Sequence, residues 1–171
     1  ARGHRFRTRC DTEVLIHAYE EWGTGMLSRL NGQFAFAILD RRDGSILLAR
    51  DRFGVRPLFY AVRNQALYFA SEVKAIFASG EVDPLPDLRG LDEIFTFWAA
   101  RAPRTPFRGV ASLEPGCYAV WSEGRLRLGR YFEMDFPAGE ESPNALDKLD
   151  ELLRSSVDLR MRADVPVGGY L

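Results

Sequence analysis

The 171-residue chain carries 23 Lys plus Arg against 24 Asp plus Glu, for a net charge of −1, and 46% of it is hydrophobic. That balance excludes the strongly basic surface of a nucleic-acid or anionic-membrane binder, and the length suffices for one sizeable core and the start of a second. Two cysteines and two histidines exclude a disulfide framework and offer no Cys/His spacing for structural zinc, so no metal is expected. No apolar run is long enough to span a bilayer and no secretory leader stands at the start, which points to the cytoplasm.

Residues 12–22 have helical spacing, with Val14, Leu15, Ala18, Tyr19 and Trp22 on one face. Asp11 stands where an N-cap belongs, Glu13 lies in the first turn and Gly23 is a stop. A second short helix covers 24–30. The run from Gln33 to Asp40 is almost continuously apolar and predicts a strand buried on both faces. Arg41-Arg42-Asp43-Gly44 turns it back into Ser45–Arg50. Leu58–Val62 and Leu67–Ala70 form a hairpin across Arg63-Asn64-Gln65, and Ser71 is expected to cap a helix running to Ser79.

A Pro-containing loop, 81–89, leads to an aromatic-rich helix over Leu91–Trp98. Cys117–Ser122 and Arg125–Leu128 make a late hairpin over Glu123-Gly124. Strand meanders packed on helices imply an α+β layered domain. Composition shifts over 134–142, which reads as a linker. Ser142-Pro143 then opens a helix whose apolar face is Leu146, Leu149, Leu152, Leu153 and Val157, ending near Arg162. Val165–Leu171 is expected to begin a buried strand.

Between the strands lies a charged knot, Arg50, Asp51, Arg52 and Arg56, closed by Gly54 and Pro57. Charges at that density among buried strands are expected to pair with one another, since an isolated buried charge is costly. The knot is readable either as an anion site or as a structural network.

The block L-N-G-Q-F-A-F-A-I-L-D, L-L-A-R-D-R-F-G-V-R-P-L-F-Y, L-Y-F-A-S-E-V-K resembles the glutamine-hydrolysing asparagine synthetases, and more broadly the glutaminase domain of class II amidotransferases. The resemblance runs nearly end to end. It implies an N-terminal-nucleophile-type α/β/β/α layered glutaminase domain over 1–133, incomplete at its N-terminus. It also implies a linker at 134–142, then the first helix and strand of an α/β pyrophosphatase-loop domain over 143–171.

The resemblance also implies roles. On residue type alone Asp11 reads first as a helix cap, but C-D-T-E-V around it matches the segment whose Asp binds the α-amino group of glutamine, and the resemblance implies that role, alone or beside the cap. Cys10 cannot serve as the family's nucleophile, which must carry a free α-amino group, so Cys10 is expected to be small and buried or pocket-lining. Asn31-Gly32 belongs to a strand-entry turn and not to the oxyanion loop. No catalytic residue of the family falls within Ala1–Leu171, so the chain is expected to be an inactive fragment.

D-V-P-V-G-G-Y-L leads toward the family's pyrophosphate loop, which makes Leu171 a candidate nucleotide contact. For the whole protein the resemblance implies glutamine, aspartate, ATP and Mg2+, amidation through an acyl-adenylate, and no nucleic acid or membrane partner. A homodimer is among the arrangements it leaves open. Two other readings stand beside it: a related ligase amidating another carboxylate, in secondary-metabolite or exopolysaccharide synthesis, and a non-catalytic homologue.

Overall fold

A computed structural model describes residues 3–136, 139 and 143–169. The chain divides into two compact units, Ala1–Glu133 and Met134–Leu171.

The first unit begins with α1, Asp11–Trp22, followed by a 3-10 helix, Gly23–Arg29. Gly23 ends α1 at φ 54, donating its N–H to the Tyr19 carbonyl. Strands β1 (Ala35–Asp40), β2 (Ser45–Arg50), β6 (Cys117–Ser122) and β7 (Arg125–Arg130) form an antiparallel sheet in the order β1-β2-β6-β7. A second antiparallel sheet has the order β4-β3-β5, from β3 (Phe59–Arg63), β4 (Ala66–Ala70) and the two-residue β5 (Ala111–Ser112). Helices α2 (Val73–Phe77) and α3 (Leu88–Phe97) lie between β4 and β5 in sequence.

Three apolar clusters hold four layers together. Ala18, Met26 and Leu27 pack on Ala49 of β2, with Phe36, Ile38 and Tyr118 beside them. On the opposite face of that sheet, Leu48 and Ala119 meet Tyr60 of the second sheet and Leu58 and Leu113, which flank its strands β3 and β5. Beyond the second sheet, Ala61 meets Ile76 of α2, with Val82 and Val110. The alternation of the pleat explains the division, since neighbours such as Leu48 and Ala49 must face opposite layers. The result is a helix/sheet/sheet/helix stack.

Register follows from turn chemistry. Asn64 and Gln65 both take positive φ (49 and 56), as do Glu123 and Gly124 (52 and 73), so each pair closes a two-residue hairpin of primed type. At the β1–β2 turn, Arg42 Nη2 pairs with Asp40 Oδ2 at 2.6 Å.

Several expectations change. β1 is not buried on both faces: Phe36 and Ile38 pack under α1, but Leu39 is 59% exposed because the three-stranded layer covers Leu48 and stops short of it. Asp11 is not the N-cap; Cys10 holds that position, and Asp11 is the first helical residue. Ser71 caps nothing, since α2 is shorter than expected and starts after Glu72. The aromatic helix starts early, at Leu88, because the Asp87 carboxylate accepts the Gly90 N–H at 2.9 Å.

In the second unit, α4 spans Ala145–Arg160 with Asn144 as its cap, so Pro143 precedes the helix and does not open it. Residues 165–169 form no strand and are exposed. A strand of a parallel sheet is held by a neighbour's hydrogen bonds, and none of the described residues supplies one. Leu171 lies outside the described residues.

Candidate functional site

The start of α1 is organised by Glu13, at the third helical position. Its carboxylate folds back to accept the Arg7 N–H and the Thr8 N–H, each at 2.7 Å, and the Thr8 hydroxyl. Thr8 Oγ1 in turn accepts the Cys10 N–H at 3.2 Å. This is a capping-box device displaced by two residues. The Thr8 hydroxyl first, then the Arg7 N–H, hold Glu13 down to about 2, against the opposing effect of burial.

Glu13 and Thr8 thus fix the N–H groups of Arg7, Thr8 and Cys10 ahead of the helix, and the Asp11 carboxylate takes no part in that bracing. Its contacts among the described residues are the Cys10 thiol at 3.5 Å and the Thr12 hydroxyl at 3.4 Å, both on Oδ1. Asp11 is exposed at the helix mouth. A solvent-facing carboxylate on a braced helix end can receive an ammonium group. Cys10, expected to be buried or pocket-lining, is exposed beside it. Asn31 and Gly32 are exposed in the bend before β1.

The charged knot is solved without ion pairs among its own members. Asp51, 1% exposed, accepts backbone N–H groups from Phe53 at 3.1 Å, Val55 and Arg56 at 3.0 Å and Phe34 at 3.3 Å. Burial pushes its carboxyl up, but these four donors outweigh burial and leave it below the usual carboxylate range. Arg50 donates to the carbonyls of Arg56, Gly54 and Leu113 and to the Ser112 hydroxyl, at 2.6–3.1 Å. Arg52 donates to the carbonyls of Leu30 and Ser28 at 2.6 and 2.8 Å. The expected pairing between charges is therefore replaced by pairing to backbone. Arg50, Asp51 and Arg52 are thus engaged in fixing loops, as in a structural network, while the Arg56 side chain is exposed.

Gly54 makes that network possible. At φ +65, a Cβ there would lie 2.8 Å from Pro115 Cγ and 3.0 Å from Arg50 Cζ. Tyr131 completes the network by donating its hydroxyl to the Arg50 carbonyl at 2.8 Å, and burial pushes that phenol up to about 12.

A cavity of about 710 Å3 lies elsewhere, lined by Tyr60, Glu93, Arg101, Arg104 and Thr105 among others. Its principal charges are engaged with each other, since Glu93 pairs with Arg104 at 2.5 Å. Asp11 is not among its lining residues.

The sequence profile of the glutamine amidotransferase domain matches residues 1–132. The chain belongs to the glutamine amidotransferase family. This amidotransferase is 36% identical over 173 residues to asparagine synthetase [glutamine-hydrolyzing] 3 of Bacillus subtilis, covering 100% of the chain and 28% of that protein. It is also 31% identical to amidase chry2 of Gibberella zeae, over 98% of the chain and 25% of that protein. The chain thus spans about a quarter to a third of the relatives it matches.

In fold, the glutamine phosphoribosylpyrophosphate amidotransferase of B. subtilis, solved with ADP and GMP, superposes with a TM-score of 0.53 at 23% identity, covering 76% of this chain and 24% of that one. The layered stack is that of the N-terminal-nucleophile-type amidotransferases. No described helix is long and apolar enough to cross a membrane.

Proposed function

We propose that the chain is the glutamine-handling part of a glutamine-hydrolysing asparagine synthetase, with residues 1–133 as the amidotransferase domain and 143–171 opening the synthetase domain. The observation that carries the reading is Asp11, an exposed carboxylate at a helix start whose side chain contacts only Cys10 and Thr12 among the described residues, while Glu13 braces the segment ahead of the helix. Asp11 takes the α-ammonium of glutamine through a charge-assisted hydrogen bond, and the Arg50–Asp51 network keeps the loops under α1 in place. The relatives' names, asparagine synthetase [glutamine-hydrolyzing], support glutamine as nitrogen source and asparagine as product.

On this reading the whole protein would also use ATP and Mg2+, which activate a carboxylate for attack by ammonia. The described residues hold no cradle for either: a Cβ at Gly168 or Gly169 would meet nothing within 4 Å.

The chain by itself is proposed to be inactive as a glutaminase. Cys10 is fixed in a peptide whose N–H donates to Thr8, so it offers no free amine as base. Cys117 is buried, and burial pushes its thiol up, away from the thiolate.

The similarity to amidase chry2 favours a second reading, an amidating ligase with a different carboxylate acceptor. One experiment separates the readings. The full-length protein is supplied with glutamine, ATP and Mg2+, with and without aspartate, and products are followed by chromatography. Aspartate-dependent asparagine and AMP support the synthetase. Glutamate release without asparagine supports the second reading, and no glutamate release at all contradicts both.

A further inference from the structure

We propose that His4, His17 and Glu20 form a binding site for a divalent transition-metal ion of the Zn2+ class. The two histidines are thirteen positions apart in sequence, but the segment ahead of α1 folds back along the helix and brings them together. Their ring centroids lie 4.7 Å apart at an interplanar angle of 43°. His17 and Glu20 share one face of α1, and Glu20 Oε2 lies 3.0 Å from His17 Nδ1 and 3.6 Å from His4 Nδ1. The three side chains offer ligand atoms all within 4.8 Å of one another. Ligands about 2.0–2.2 Å from a tetrahedral zinc stand roughly 3.3–3.6 Å apart, so small rotamer adjustments close the site.

Proton bookkeeping supplies the second argument. All four imidazole nitrogens face carboxylate oxygens. Besides the two Nδ1 atoms on Glu20, His4 Nε2 is 3.4 Å from Glu21 Oε2, and His17 Nε2 is 3.8 Å from Glu13 Oε1. A neutral imidazole carries one N–H and one lone pair, so each ring can offer its Nδ1 as a ligand. A cation on the Nδ1 pair takes both Nδ1 lone pairs and leaves the His4 Nε2–H 3.4 Å from Glu21 Oε2. That is the carboxylate–histidine–metal arrangement which fixes tautomer and ring orientation. His17 Nε2 is buried and makes no hydrogen bond among the described residues, with Glu13 Oε1 3.8 Å away.

Three surrounding carboxylates suit a 2+ charge, and imidazole with carboxylate suits Zn2+, Co2+ or Ni2+ better than Mg2+. Phe6, edge-on to His17 at 4.9 Å, shields one side, and water completes the coordination. The ion would staple the segment leading to Asp11 onto α1.

The test uses the full-length protein, stripped with chelator and titrated with Co2+ as a spectroscopic probe, beside His17→Gln and Glu20→Gln. Glu20 is half-exposed, so its variant spares the core. Wild type is expected to bind one Co2+ per chain more than either variant, with a visible absorption band that both variants lack and that Zn2+ abolishes. Glu21→Gln, which removes the carboxylate behind His4, is expected to weaken binding about tenfold or more. The same Co2+ stoichiometry and spectrum in wild type and Glu20→Gln overturns the proposal, leaving two protonated imidazoles in a carboxylate cluster. A wild-type protein with no visible band overturns it without reference to any variant.

Discussion

Arg50 donates from Nη1 to the Leu113 carbonyl at 2.6 Å, and in doing so joins the end of β2 in one sheet to the segment after β5 in the other. The same guanidinium reaches Gly54 and Arg56, so one side chain fixes three stretches of backbone. Replacing Arg50 with Met strands those carbonyls. The expected cost is about 2–4 kcal/mol, from leaving several part-buried acceptors unpaired. Lysine keeps the charge but cannot reproduce the fork, so Arg50→Lys should recover less than half of the loss. Thermal denaturation of the three proteins measures this; equal midpoints would show that the clamp contributes nothing.

Gly54 sits inside that clamp with φ +65 and with Pro115 and Arg50 too close for a side chain. Gly54→Ala is therefore expected to destabilise by more than about 1 kcal/mol, since strain and a clash both oppose it. Gly44 also has positive φ but has open space around it, so Gly44→Ala should cost less. A denaturation comparison in which Gly44→Ala is the worse variant would contradict the geometry.

Glu13 gives a pH dependence with a definite sign. Its carboxyl is held down from 4.5 to about 2 in the folded chain. The protonated unfolded state is favoured only where the unfolded group titrates first. The contribution to stability is thus complete above pH 4.5 and is lost as pH falls from there through about 2. A carboxyl-carbon NMR titration should show Glu13 with a midpoint near 2, and Glu13→Gln should flatten that part of the acid-stability curve. A midpoint near 4.5 would mean that the Thr8–Glu13 hydrogen bonds do not persist in solution.

The sequence shows the hairpins well: it puts the turns at Arg63-Asn64-Gln65 and Glu123-Gly124, and in the structure Arg63 joins β3, which shortens the first to Asn64-Gln65. It shows α1 for the same local reason. It does not show how Asp51 is buried, since the partners of a carboxylate that takes four backbone N–H groups carry no side-chain signature. The pairing of His4 with His17 is hidden too, because it depends on the path of the segment before α1. Asp11 was legible as a candidate, but its freedom from capping was not. A Glu at the third position after Cys10 was the available signal, and a cap placed one residue late concealed it. The two-residue β5 is too short to leave a periodic pattern.

The account rests most directly on Asp11, and one measurement tests it. In the full-length protein, the glutamine KM and the ammonia-dependent rate are compared for wild type, Asp11→Asn and Asp11→Ala. The account predicts a glutamine KM raised by at least tenfold in Asp11→Ala, a smaller rise in Asp11→Asn, and ammonia-dependent synthesis nearly unchanged. Loss of a charge-assisted contact to the substrate ammonium would cost about 1.5–3 kcal/mol. Equal loss of the glutamine- and ammonia-dependent rates would instead mean that Asp11 serves the fold and not the substrate.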